Sequence, residues 1–198
     1  MRKIAREYEN PIDNILIDIS EYLSPYAYYC RLTPNILTTI SILFSGYTVY
    51  LLLNSNYFLA SFMYLISYYF DCMDGYFARK YKMYSKFGDY YDHIADIFKF
   101  VSVLYTLFYI NRVKFITFIP SVLLYFILFN IHLGYQEIYY DKNDSDILNI
   151  VKNICLVTIS NNNKNNKIII LNIMSYTRYF GCGTFNLIMM LFIIFYGM

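Results

Sequence analysis

The chain has 198 residues, of which 58% are hydrophobic and 15% charged, with a mean hydropathy of +0.37. Soluble domains carry about 25% charged residues, so this composition excludes an ordinary soluble globule and points to one integral membrane domain, 1–198. A formal net charge of +2 is too small for a nucleic-acid-binding surface. The four cysteines, Cys30, Cys72, Cys155 and Cys182, are scattered without a CxxC pair and read as free apolar side chains.

The opening "MRKIAREYEN" is basic but has no apolar segment directly behind it, so a cleaved signal peptide is not expected. Asn10 and Pro11 suit the N-cap and first position of a helix. Ile12, Ile15, Leu16, Ile19 and Leu23 follow helical spacing on one face, while Asp13, Asp18 and Glu21 fall largely elsewhere. This segment, 10–24, is too short and too amphipathic to cross a bilayer and reads as an interfacial helix.

Four transmembrane helices are expected within 34–139: 34–53, 57–80, 87–110 and 115–139, joined by the polar turns "NSN" and "NRVK". A polar connection, 140–167, contains the solvated run "NNNKNNK". The C-terminal segment, 168–198, is apolar but interrupted by Arg178 and "GCG", giving two short helices or one broken one. The expected fold is therefore all-α, a polytopic membrane bundle of five to six transmembrane helices behind an N-terminal interfacial helix. Basic clusters at Arg2/Lys3/Arg6, at Arg79/Lys80/Lys82/Lys86 and at Lys142/Lys152/Lys164/Lys167 fall on one side, which the positive-inside rule makes cytoplasmic. Arg112 and Lys114 dissent from a very short turn.

The stretch "DCMDGYFARKYKMYSKFGDYYDHIAD" gathers five aspartates between two highly apolar segments. On one helix, Asp71, Asp74, Gly75 and Ala78 share a face; on the next, Gly88, Asp92, Asp96 and Lys99 do. A short connection makes these helices antiparallel neighbours, so the two acidic faces can meet near the membrane boundary. Asp89 lies off the face and reads as a solvated first-turn residue. A charge at a bilayer centre costs about 2.5–3.5 kcal/mol on insertion scales, so either several carboxylates are protonated or cations neutralise them. Oxygen-only ligands favour Mg²⁺, Mn²⁺ or Ca²⁺. Gly75, Ala78 and Gly88 clear space beside the carboxylates, either for close helix packing or for a ligand.

Asp71, Asp74, Gly75, Ala78, Arg79, Gly88, Asp92 and Asp96, at these gaps, resemble the signature of the CDP-alcohol phosphatidyltransferase (phosphotransferase) family at every position. The resemblance implies a membrane enzyme of phospholipid biosynthesis, usually six-helical and often homodimeric. Such an enzyme transfers a substituted phosphate from a CDP-linked donor to an alcohol and releases CMP. It further implies two divalent metals, Mg²⁺ or Mn²⁺, held by Asp71, Asp74, Asp92 and Asp96, with Asp96 also the general base. Gly75, Ala78, Arg79 and Gly88 would accommodate the cytidine nucleotide, and "TPNILT" would place Asn35 and Thr38 near it. The small size favours a CDP-diacylglycerol donor with inositol, serine, glycerol phosphate or inositol phosphate as acceptor. The Asp92-His93 pair resembles the "DH" of the choline/ethanolamine branch, whose acceptor is diacylglycerol.

Intramembrane prenyl transfer, which normally needs two distant acidic motifs, and a non-catalytic membrane protein with a structural metal site are the readings from other classes. Lys99 reads either as a phosphate-binding residue or as a structural lysine paired with aspartate. Arg112, Lys142 and Arg178 are further acceptor-phosphate candidates, and His132 reads as a helix-packing hydrogen-bond donor.

Overall fold

Asn10 starts the first helix as its sequence predicts: its side chain accepts the Ile12 amide at 3.0 Å and Pro11 follows at the first helical position. The computed structural model describes residues 2–140 and 165–198. Helix α1, Pro11–Tyr29, outruns the expected 10–24 because Pro25 does not stop it. Proline cannot donate to the carbonyl four residues back, here that of Glu21. That carbonyl instead accepts the Ser24 hydroxyl at 3.2 Å and the Lys80 ammonium at 3.4 Å.

Helix α1 buries a largely polar seam, including Asp13, Ser20 and Ser24, and turns Ile15, Ile19, Tyr22, Leu23 and Tyr26 outward. An outward aliphatic and aromatic stripe is the pattern of a helix resting against lipid.

Helices α2 (Pro34–Leu53), α3 (Tyr57–Tyr81), α4 (Lys86–Ile110) and α5 (Arg112–Tyr140) follow as expected, with connections as short as the single residue Asn111. Asn111 serves the α5 start, its side chain accepting the Lys114 amide at 3.0 Å. The expected polar connection falls mostly on 141–164, outside the described residues, as do Lys142, Lys152, Lys164 and Cys155. Beyond it lie α6 (Asn165–Thr177), a 3-10 turn at Arg178–Phe180, and α7 (Cys182–Tyr196). The break falls at the interruption the sequence marks. No strand occurs among the described residues.

Among the described residues, four segments are long and apolar enough to cross a membrane: Pro34–Leu53, Lys86–Ile110, Arg112–Gln136 and the broken Ile168–Tyr196. Helix α3 lies among them with 25 residues, ~37 Å of helix, although charges in its C-terminal half lower its hydropathy.

A seam of small residues joins α2 to α3. Thr38, Ser41, Ser45, Thr48 and Leu52 recur at spacings of three and four and are buried, opposite Ala60, Tyr64 and Ser67. The Ser67 hydroxyl donates to the Ser41 carbonyl at 2.8 Å. Small side chains let membrane helices approach closely, and the same spacing carried along α3 arrives at Asp71 and Asp74.

The two ends of the described chain meet. The Asn10 amide donates to the Arg178 carbonyl at 2.7 Å and to Thr184 Oγ1 at 2.8 Å. The Gly183 amide donates to Asp13 Oδ2 at 3.1 Å, and the Tyr68 hydroxyl donates to Asp13 Oδ1. Asp13 thus puts a carboxylate at the positive N-terminus of α7. Sequence reading left Asp13 on a polar flank; the structure makes it the dock between α1, α3 and α7.

Two measurements check this dock. A Cβ on Gly183 would lie 2.5 Å from Asp13 Oδ1 and 2.8 Å from Ile12 Cβ. Gly183→Ala is therefore expected to destabilise the detergent-solubilised protein by about 1–3 kcal/mol, read as a drop in the thermal midpoint of helical circular dichroism. Burial, reinforced by the Asp13 charge, pushes the Glu9 carboxyl up to about 7. The folded state therefore keeps a proton there that the unfolded chain releases near 4.5. Stability from this group is complete below that value and is lost as pH rises through about 7. Glu9→Gln should flatten the fall in thermal midpoint between pH 5 and 8.

Candidate active site

The α2–α3 seam and the first turns of α4 converge on the acidic stretch. Ser85 caps α4 by accepting the Gly88 amide at 2.9 Å, which fixes where the helix starts and so which face Asp92 presents. Asp71 and Asp74 from α3 and Asp92 from α4 each offer a carboxylate oxygen, and these atoms lie within 4.8 Å of one another. Asp74 is 4% exposed, and its Oδ2 accepts the Thr38 hydroxyl at 2.5 Å. Asp92 Oδ1 is buried with no hydrogen-bond partner. Converging oxygens with one left unsatisfied fit a hard divalent cation.

Asp96 sits beside this corner with half of its side chain exposed and its Oδ1 2.8 Å from the Lys99 ammonium. Lys99 also pairs with Asp71 and donates to Ser41 Oγ at 2.9 Å. Lys99 is thus paired with two aspartates and a serine.

The remaining motif residues line the same end of α3 and α4. A Cβ on Gly75 would meet the Arg79 guanidinium at 3.2 Å, so the guanidinium lies along the bare backbone of Gly75. A Cβ on Gly88 would lie 2.9 Å from Asn35 Oδ1 and the same distance from Ser85 Oγ, so Gly88 lets the starts of α2 and α4 touch. Ala78 is half-buried one turn beyond Asp74. Asn35 thus faces Gly88, whereas Thr38 faces Asp74.

His93 and Asp89 turn away from the cluster. His93 Nδ1 lies 2.9 Å from the Asp89 carbonyl, and both side chains are more than half exposed. Arg178 straps the N-terminal segment, donating to the Glu7 carbonyl at 2.5 Å and to the Tyr179 hydroxyl at 2.9 Å. Arg112 stacks over Phe108 beside the α4–α5 turn. His132 packs as expected, 2.9 Å from Thr177 Oγ1 and 2.7 Å from Gln136 Nε2.

On the other side of Asp71 and Asp96 lies a cavity of about 380 Å³ between α3, α4, α5 and α7. Phe100, Phe126, Phe129 and Phe185 wall it, and Asp71, Asp96 and Lys99 form its polar end. Its lining includes Ile97 and Phe126, 59% and 40% exposed, so the chamber reaches the outer apolar surface between α4 and α5. The Tyr64 hydroxyl donates to Asn186 Oδ1 at 2.7 Å, tying α3 to α7 behind it. The sequence did not single out this chamber: its phenylalanines come from three helices and look like ordinary membrane-facing ones.

The family model for CDP-alcohol phosphatidyltransferase matches residues 31–196. No curated protein and no solved structure matches the chain significantly.

The Thr38–Asp74 contact yields a direct check. Hydrogen-bonded partners behind a metal ligand typically contribute about 10–100-fold to metal affinity. Thr38→Val, close to Thr in shape, is expected to weaken Mn²⁺ binding by about tenfold while leaving the helical spectrum unchanged.

Proposed function

Because the chain belongs to the CDP-alcohol phosphatidyltransferase family, it is a membrane transferase of CDP-alcohol chemistry in phospholipid synthesis, and we propose that Asp71, Asp74 and Asp92 hold a divalent metal beside Asp96 as general base. The observation that carries this assignment is the convergence of three carboxylates around the buried, unpartnered Asp92 Oδ1. Held by these three carboxylates, Mg²⁺ or Mn²⁺ would supply positive charge for phosphoryl transfer.

The chain's own residues do the rest. Asp96 takes the proton from the acceptor hydroxyl as its oxygen bonds to phosphorus and the bond from phosphorus to the CMP oxygen breaks. The Arg79 guanidinium, seated along the Gly75 backbone, offers the nucleotide's phosphates a cation at the polar end of α3. Thr38 keeps Asp74 oriented. The basic residues at this end, Arg79, Lys80, Lys82 and Lys86, support a cytoplasmic position for it by the positive-inside rule.

The aromatic chamber supports a substrate that brings hydrocarbon to the site. With CDP-diacylglycerol as donor, the chamber takes part of its acyl chain. A small alcohol then reaches Asp96 from the exposed half of that side chain. A second reading is favoured by the position of the chamber against Asp96: a diacylglycerol acceptor, with CDP-choline or CDP-ethanolamine as donor.

Purified protein with Mn²⁺ is expected to release CMP from labelled CDP-diacylglycerol when given inositol, serine or glycerol phosphate. Release only from CDP-choline or CDP-ethanolamine with diacylglycerol would move the hydrocarbon to the acceptor. No release in either arm would sink the catalytic assignment. Asp96→Asn should lower turnover by about 10²–10⁴ while CDP-lipid binding persists; unchanged turnover would remove Asp96 as the base.

A further inference from the structure

An ammonium group carries three donors and no acceptor. Those of Lys99 face three oxygens from three helices: the Asp71 carboxylate on α3, Asp96 Oδ1 at 2.8 Å on its own helix, and Ser41 Oγ at 2.9 Å on α2. The side chain is 10% exposed. Lys99 lies one turn further along α4 than Asp96, towards the apolar part of the helix. A lysine placed to seize a soluble phosphate would present open donors to the polar end of the site. This one is held on all three.

The carboxylates therefore divide into two groups that share Asp71. Asp71, Asp74 and Asp92 form a corner that contains an unsatisfied oxygen. Asp71 and Asp96 form a second corner that already contains a cation. A divalent ion bridging that second pair would compete for the oxygens that bind the ammonium, and like charges at such range repel strongly where water is scarce.

We propose that the Lys99 ammonium takes the second cation position, so that the protein without nucleotide binds one divalent ion, in the Asp71–Asp74–Asp92 corner. This rests on the metal reading of the site given above, and it departs from the two ions that the family resemblance implies. Lys99 is then a positioning residue. It holds Asp71 for the metal and Asp96 for the acceptor hydroxyl, and it neutralises charge that a second ion would otherwise have to neutralise.

The test is Mn²⁺ stoichiometry per chain, by spin-resonance titration of the full-length protein in nanodiscs without nucleotide. Wild type is expected to bind one ion with the six-line spectrum of an isolated Mn²⁺. Lys99→Met is expected to bind two, with lines broadened by their mutual interaction. Two ions in wild type, or one ion in a folded Lys99→Met protein, overturns the assignment. Zero ions in wild type overturns the metal reading itself, so the two failures are distinguishable.

Ser41→Ala, which changes no charge, covers the case in which Lys99→Met does not fold. Loosening one of the three holds on the ammonium should admit a second Mn²⁺ at high concentration. A Ser41→Ala titration superimposable on wild type counts against the proposal.

Discussion

Four carboxylates packed this closely must give up charge by protonation or have positive charge built in among them, and the packing of the helices meets the second requirement. Lys99 supplies part of that charge from within the protein. Its ammonium needs oxygens on three sides, and one comes from Ser41, so α2 must lie close against α3 and α4. The serines and threonines along α2 permit that approach. Close packing and charge balance are thus one constraint: bulkier residues in the seam would hold Ser41 away from Lys99 and leave the carboxylates to repel each other.

The same arrangement gives the site two unlike sides. Beyond Asp74 the helices offer polar side chains and cations, among them Asn35 and Arg79. Behind Asp71 they offer phenylalanine rings and an outlet between α4 and α5, an environment for hydrocarbon. Asp96 stands at the junction, half-buried. An enzyme that joins a polar head to an apolar tail has to bring both environments to one reacting oxygen, and here fewer than two helical turns, Asp92 to Asp96, separate them.

The helices and the acidic constellation were legible in the sequence because both are local. Hydrophobic runs mark the spans, and spacings of three and four place Asp71 with Asp74 and Asp92 with Asp96. The break at Arg178–Gly181 was legible for the same reason. What escaped depended on partners far along the chain. Asp13 looked like the wet flank of an amphipathic helix, but its partners, Tyr68 and Gly183, lie 55 and 170 residues away. The first helix was read as ending at residue 24, but Lys80 and Ser24 serve the Glu21 carbonyl that Pro25 leaves open and the helix runs on to Tyr29. Lys99 fell on the correct face, yet nothing local distinguished a paired lysine from one free to bind phosphate, because Ser41 is 58 residues distant. The chamber escaped because membrane-facing and chamber-facing phenylalanines follow the same periodicity.

The dock between Asn10, Asp13 and the start of α7 also bears on biosynthesis. Helices α1 to α4 carry the acidic site and emerge from the ribosome first, but one wall of the chamber, with Phe185 and Asn186, belongs to α7. Until that helix is made, Asp13 has no Gly183 amide to accept and the hydrocarbon side of the site stands open to lipid. Docking of α7 onto α1 brings Phe185 and Asn186 to the chamber and so completes its wall.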